Sequence, residues 1–304
     1  MKRLVILALG MGLLVTACAG HGAVSLGKAP SPAGSHSPAP KPSKAHQSPS
    51  PTPVGTQTPT PPPSPRGTVT YQLWFAMGEK LFETKRTEPA TLGVGTAAMK
   101  ALLQGPTAPE RAAGVATIIP SGTALGGLSI SNGLGTVDLT TVYASGGGSL
   151  SEQFRLAQVV YTLTQFSTVK GVNFALDGKP VKTFSGEGII LDHPQTRSDY
   201  ADLAPAITVD SPTIGQAVSS PVTVSGTANV FEATVSVWIL DEHGARIAET
   251  FTNATCGTGC RGTYSVSVSY HVTHDQPGTI EVFEASAQDG SPTNVVKIPV
   301  TLRA

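Results

Sequence analysis

A helix with almost no wet side sets the terms for this chain. Between Ser149 and Phe166, residues Ser151, Arg155, Gln158, Thr162 and Gln165 fall on one narrow polar stripe at helical spacing. Nearly everything else there is apolar: Leu150, Phe154, Leu156, Val159, Val160, Tyr161, Leu163 and Phe166. Such a helix has to be covered by a sheet or by a partner. Its flanks supply a sheet. Val137, Leu139, Thr141 and Tyr143 alternate with Thr136, Asp138 and Thr140, the period of a half-buried strand. Gly146-Gly147-Gly148 breaks that strand, and Ser149 with Glu152 has the spacing of a capping box at the helix start. Gly171 ends the helical stretch, Val172, Phe174 and Leu176 alternate again, and Asp177-Gly178 is a hairpin-turn pair. Residues 133–181 therefore read as strand, glycine hinge, helix and hairpin.

The start of the chain is of another kind. Met1-Lys2-Arg3 is positive and Leu4 to Val15 is an apolar run, too short to span a bilayer and suited to a signal peptide. It ends Leu14-Val15-Thr16-Ala17-Cys18, which resembles a bacterial lipobox. On that reading residues 1–18 are a lipoprotein signal and Cys18 becomes a lipidated N-terminus. The acyl chains then hold the protein to the membrane at roughly 0.8 kcal/mol per buried CH₂. The alternative is an ordinary signal peptide with a chance cysteine nearby. Residues 19–66 carry 13 of the 25 prolines, many Ser and Thr, and no acid. They form a disordered linker with nothing apolar to bury, reaching at most on the order of 150 Å as polyproline II. His21, His36 and His46 are read as solvated within it.

Net charge is zero overall, but six bases precede residue 67 and no acid does, leaving 14 bases against 20 acids beyond it. That balance argues against nucleic acid as a partner. Cys256 and Cys260 flank Gly257-Thr258-Gly259, and outside the cytoplasm a disulfide is the default for such a pair. Zinc is the rival, since His271 and His274 follow. However, Tyr264 to Val272 alternates as a strand, which would carry His271 roughly 30 Å from Cys260.

Residues 67–195 order as strands, helix, strands, helix, strand, an α+β arrangement of one sheet with two helices. Strands are expected at Tyr71–Met77, Leu81–Arg86, Ile118-Ile119 and around Leu128–Ile130, with a helix from Pro89, or nearer Thr96, to Gln104. Asp192 to Pro205 suits an interdomain link. Residues 205–304 show seven short strands, at 206–210, 221–227, 233–240, 246–253, 263–272, 279–286 and 294–302. Seven strands in that length match an all-β immunoglobulin-like sandwich. Trp238 is read as core packing over a ligand platform.

The first region carries LLQGPT at 102–107, IIPSGTAL at 118–125, GTVDLTTVYASGG at 135–147 and QVVYTLTQFSTVKGVNFALDG at 158–178. In these it resembles the GerMN domain of sporulation and germination lipoproteins. The resemblance implies a non-enzymatic module that works by pairing with other proteins, including oligomer formation, and brings no catalytic residues. The second region carries SPVTVSGTANVFEATV at 220–235, LDEHG at 240–244, VFEASAQDG at 282–290 and VVKIPVTL at 295–302. It resembles the immunoglobulin-like domain of bacterial spore germination proteins. Glu232 falls on that family's acidic position, either bonding backbone N–H groups or serving recognition.

Ser167-Thr168-Val169-Lys170 matches S-x-x-K, but its serine closes a helix instead of opening one, and Lys182-Thr183 precedes Ser198-Asp199 in the wrong order for penicillin-binding enzymes. Nothing else matches a catalytic, metal or cofactor motif. The expected protein is thus a non-enzymatic lipoprotein on the outer face of the cell membrane, without cofactor, acting as adaptor or scaffold among envelope proteins. The alternative is a peptidoglycan- or small-ligand-binding lipoprotein. Replacing Cys18 by Ala is expected to abolish metabolic fatty-acid labelling and release the protein from the membrane fraction; unchanged labelling would assign the lipid elsewhere.

Overall fold

The computed structural model describes residues 65–186 and 188–304, so the signal segment, Cys18 and the linker up to Ser64 lie outside the described residues. Strands β1 (Thr68–Met77) and β2 (Lys80–Pro89) pair as an antiparallel hairpin whose two-residue turn opens on Gly78 at φ 59°. Helices α1 (Val94–Gln104) and α2 (Ala108–Ala112) follow. Then come β3 (Leu125–Ser131), β4 (Leu134–Leu139), a 3₁₀ turn over Thr141–Ala144, α3 (Ser149–Leu163) and β5 (Gly171–Leu176). The short strands β6 (Lys179–Pro180), β7 (Thr183–Phe184) and β8 (Ile189–Ile190) complete the first region. Its larger sheet runs β3-β4-β5-β6, with β4 and β5 parallel and joined through α3. The α+β architecture stands, but its strands form three sheets where one was expected: the β1-β2 hairpin, β3-β4-β5-β6 and the β7-β8 pair.

The second region is a sandwich. It comprises β9 (Ile207–Ser211), β10 (Ala217–Val218), β11 (Val222–Ala228), β12 (Thr234–Leu240), β13 (Arg246–Asn253), β14 (Gly262–Val268), β15 (Gln276–Ala285) and β16 (Pro292–Leu302). One sheet is β10-β16-β15-β12-β13 and the other β14-β11-β9. Val235, Val237 and Ile239 of β12 are buried, as are Val224 of β11 and Tyr264 of β14, the inward half of an alternating pattern. Among the described residues no helix is long and apolar enough to cross a membrane.

The polar stripe of α3 is buried rather than wet. Strand β1 has β2 on one side only, and the backbone groups on its other edge need partners. The stripe supplies them. Gln165 Oε1 accepts from Gln72 N and its Nε2 donates to Gln72 O, both at 2.7 Å. Thr162 Oγ1 accepts from Trp74 N, and Gln158 Nε2 donates to Trp74 O, both at 3.2 Å. Ala76 completes the edge by exchanging two 2.8 Å bonds with Ala116. Gln158 also accepts from Ile118 N at 2.9 Å, which ties Ile118-Ile119 to the helix as an extended segment rather than a paired strand. The helix is core on nearly all sides, with Leu150 its exposed large apolar residue.

Several local expectations give way. Gly148, not Ser149, is the N-cap of α3, and no side chain caps it. Glu152 is buried and accepts from Ser185 Oγ instead. Arg155, also buried, donates to the carbonyls of Tyr143 and Gly146 and so ties down the glycine hinge. The strand ends at Leu139, because the chain turns into the 3₁₀ segment that drives Tyr143 into the core. Pro89 closes β2, and α1 begins at Val94. The capping box of this region is at α2, where Thr107 and Glu110 bond reciprocally. Burial alone would raise the Glu110 carboxyl, but a two-point grip by Arg86 (2.7 and 2.6 Å) with Thr84 and Thr107 holds it down at about 2.

Gln158→Leu strands the backbone groups of Trp74 and Ile118 without partners and is expected to cost about 2–3 kcal/mol. Leu150→Ala on the exposed side should stay within about 0.5 kcal/mol. Urea denaturation midpoints of the two variants against the parent check this.

Candidate functional site

The segment between the two regions is packed structure rather than a loose link. Gln195 exchanges backbone bonds of 2.8 and 2.9 Å with Val172 of β5. A 3₁₀ turn over Arg197–Leu203, opened by reciprocal Thr196 and Asp199 bonds, buries Tyr200 and Leu203. It delivers the chain to β9, which lies against β2. Lys80 Nζ reaches the Asp202 carbonyl at 2.6 Å across this junction.

A cleft of about 590 Å³ opens here, lined from the first region by Trp74, Tyr161 and Arg197 and from the second by Thr227, Asn229 and Arg261. The Trp74 and Tyr161 rings meet edge to face at 4.9 Å. The Arg197 guanidinium lies 5.4 Å from the Trp74 centroid and 4.8 Å from that of Tyr161, within cation–π range. It is fixed by Nε donating to Thr164 Oγ1 and Nη2 to the Tyr161 carbonyl, both at 2.9 Å. Arg261 enters from the opposite wall. It donates to Thr227 Oγ1 at 3.1 Å, to the Ala206 carbonyl at 3.4 Å and to the Pro205 carbonyl.

The cysteine hairpin aims Arg261. Cys256 and Cys260 are joined with Cα atoms 5.7 Å apart, a span that suits a disulfide. The loop they close is bonded to its neighbours, Thr258 N to the Val230 carbonyl at 2.9 Å and Gly259 N to Asn229 Oδ1 at 3.0 Å. Arg261 is the next residue and inherits that fixed position.

Beneath the cleft two carboxyl groups meet across the domain boundary. Glu83 of β2 is 6% exposed, and neither its Oε1 nor Asp210 Oδ1 of β9 has another hydrogen-bond partner. Burial, and then the facing Asp210, push the Glu83 carboxyl up to about 8. Lys85 Nζ stands 3.6 Å from Asp210 Oδ2. Glu83 therefore keeps its proton at neutral pH.

The residues singled out by sequence lie elsewhere. Glu232 is exposed at φ 52°, and its bonds run through its backbone: N to Thr258 Oγ1 at 3.0 Å, with its carbonyl accepting from Thr234 and Asn253. At this turn the carboxylate that accepts from a backbone N–H is that of Glu284, at 2.7 Å from Phe231 N, in place of the Glu232 side chain expected to do so. Trp238 is not core. It faces outward from β12 while its neighbours Val237 and Ile239 face in, and it is flanked by Phe283 at 4.5 Å and the Arg246 guanidinium at 4.7 Å. Strand β14 ends at Val268, short of His271, and His274 pairs with Glu242 at 3.4 Å. Among the described residues no three metal-binding side chains cluster. Ser167 and Lys170 are exposed beyond the end of α3.

A family model described as sporulation and spore germination matches residues 72–182, and one described as the immunoglobulin-like domain of bacterial spore germination matches residues 206–291. Among solved structures, the tandem GerMN domains of the sporulation protein GerM from Bacillus subtilis are similar at 15% identity and a TM-score of 0.39, over 78% of this chain and 61% of that one. The first GerMN domain of the same protein is similar at 20% identity and a TM-score of 0.35, over 43% of this chain and 99% of that one. This chain thus spans less than two thirds of the tandem-domain structure. No curated protein matches the sequence.

The Glu83 pair makes stability depend on pH. Folded Glu83 keeps its proton up to about 8, whereas the unfolded chain loses it near 4.5. The contribution is full below that lower value and is lost as pH rises through the folded one. Glu83→Gln, which stays neutral, is expected to flatten the decline in urea midpoint between pH 5 and 8 and to exceed the parent at pH 8 by at least about 1 kcal/mol. Parallel pH profiles for the two would refute a proton held on Glu83.

Proposed function

We propose, from the matches of residues 72–182 to the sporulation and spore germination family model and of residues 206–291 to the immunoglobulin-like spore germination model, that this chain is a non-enzymatic adaptor of the cell envelope. On this reading it is held by lipid at Cys18 to the outer face of the membrane, spaced from it by the linker of residues 19–66. It presents the two domains as one docked body to an extracytoplasmic protein complex of sporulation or germination.

The observation that carries the adaptor role is the free edge of β3. Strand β3 ends the sheet β3-β4-β5-β6, and among the described residues nothing pairs with its outer side. Exposed edges are ordinarily blunted by charge or proline, and the sequence LGGLSIS has neither. Ser129, Ile130 and Ser131 are exposed along it. An edge left in this state suits pairing with an extended strand of another protein, in which backbone bonds supply affinity and alternate side chains supply selectivity. A strand from an envelope protein is the occupant assigned here; a second copy of the chain is the outcome that would turn adaptor into ring or filament.

A photo-crosslinking residue placed at Ser129 is expected to trap a discrete heterologous adduct in living cells. Ser129→Lys, which puts a charge on the edge at little cost to stability, should abolish adducts formed from a crosslinker at Ser131. Absence of any adduct beyond abundant bystanders would remove β3 as the docking edge.

A further inference from the structure

The cleft holds two guanidinium groups and no carboxylate that answers them. The arginine–carboxylate pairs among the described residues lie elsewhere, at Arg86–Glu110, Arg246–Glu249 and Arg303–Asp275. The acid that does line the cleft is Glu83, which keeps its proton at neutral pH. A guanidinium offers five N–H donors. Arg197 spends two on Thr164 and Tyr161, and Arg261 spends three on Pro205, Ala206 and Thr227. Three and two remain. Trp74 is 4% exposed, lines the same cleft, and its indole N–H has no partner. A buried donor without an acceptor is costly to keep, and natural structures keep few. Asn229 engages its Oδ1 with Gly259 and has its amide NH₂ to offer.

These groups are all of one kind. Arg197, Arg261 and Lys80, with the Asn229 amide, line a cleft in a molecule that carries 20 acids against 14 bases beyond residue 66. The two walls come from different domains, and each arginine is pinned at some of its nitrogens so that the rest are fixed in place. Anchoring the domains accounts for the bonds that are made. It does not account for two guanidinium groups that face one cleft without a carboxylate partner.

We propose that the interdomain cleft is an oxyanion site for a carboxylate carried on a compact polar body, clasped between Arg197 and Arg261 with the Trp74 ring in the wall beside it. The planar fork of a guanidinium matches a carboxylate at two points. A sugar acid and an acidic peptide end share this chemistry, and the cleft volume of about 590 Å³ suits a ligand of one or two residues. The site is independent of the docking edge on β3, since it uses none of the same residues.

The chain has two tryptophans, Trp74 and Trp238. In the full-length protein carrying Trp238→Phe, on the outer face of the sandwich, emission reports Trp74 alone. Titration at constant ionic strength with N-acetylmuramic acid, N-acetylalanine and inorganic phosphate, and with N-acetylglucosamine as the neutral control, tests the site. A saturable change with one or both carboxylates and none with the neutral sugar is expected. The stronger of the two carboxylates tells sugar acid from peptide end. Arg261→Gln should weaken it at least about tenfold; its guanidinium lies at the exposed mouth, so this variant keeps the test valid even where Arg197→Gln fails to fold. Three results would overturn the proposal: no saturable response to either carboxylate up to about 20 mM, an equal response to the neutral sugar, or a titration that Arg261→Gln leaves unchanged.

Discussion

Strand β1 has an unpaired side, and the first region depends on how that side is closed. A bare strand edge inside a protein leaves N–H and C=O groups without water, a cost comparable to losing hydrogen bonds outright. Here a helix closes it. Gln158 and Thr162 of α3, with Gln165 just beyond its end, bond to the backbone of Gln72 and Trp74, so side chains do what a third strand would do. This fixes the helix in register along the hairpin, since a shift by one turn would break every bond together. Through α3 the hairpin is then joined to the four-stranded sheet, because α3 is also the crossover between parallel β4 and β5.

The same hairpin carries the second domain. Strand β2 offers Glu83 and Lys85 to Asp210 of β9, and the turn at Arg197–Leu203 packs back on α3. The sequence of contacts runs from sheet to helix to hairpin to sandwich. Arg197 and Arg261 belong to this joint as much as to the cleft above it. Each is held by carbonyls and hydroxyls at the junction, which pre-positions the unspent donors.

Much of the fold was legible because its signals are periodic. All seven strand segments expected of the sandwich have counterparts, and the helix at 149–163 announced itself by its stripe. What that stripe touches was not legible: a polar row on an apolar helix reads as the wet side, and only the hairpin, some 85 residues earlier in the chain, makes it interior. Glu152 misled for a related reason, since its spacing from Ser149 fits a cap while its side chain is drawn to Ser185. Trp238 was placed inward by its apolar neighbours, although strand alternation puts it on the opposite side from Val237. The cleft was hidden altogether. Its residues come from six separate stretches, and Arg197 and Arg261 look like ordinary surface charges in the sequence. The one available hint was the cysteine loop, whose closure fixes the residue that follows it.

The closure of β1 also has a consequence in time. A chain made from its N-terminus completes the hairpin well before α3 exists, and the bonds that seal β1 span 84 to 93 residues. In that interval the hairpin presents an open edge alternating with Tyr71, Leu73 and Phe75, free of charge from Thr68 to Met77. Non-local contacts of this kind form late and leave sticky intermediates behind them. Helix α1 can screen the hairpin's face but not its backbone. The nascent domain is therefore most vulnerable to wrong pairing just before its own helix arrives.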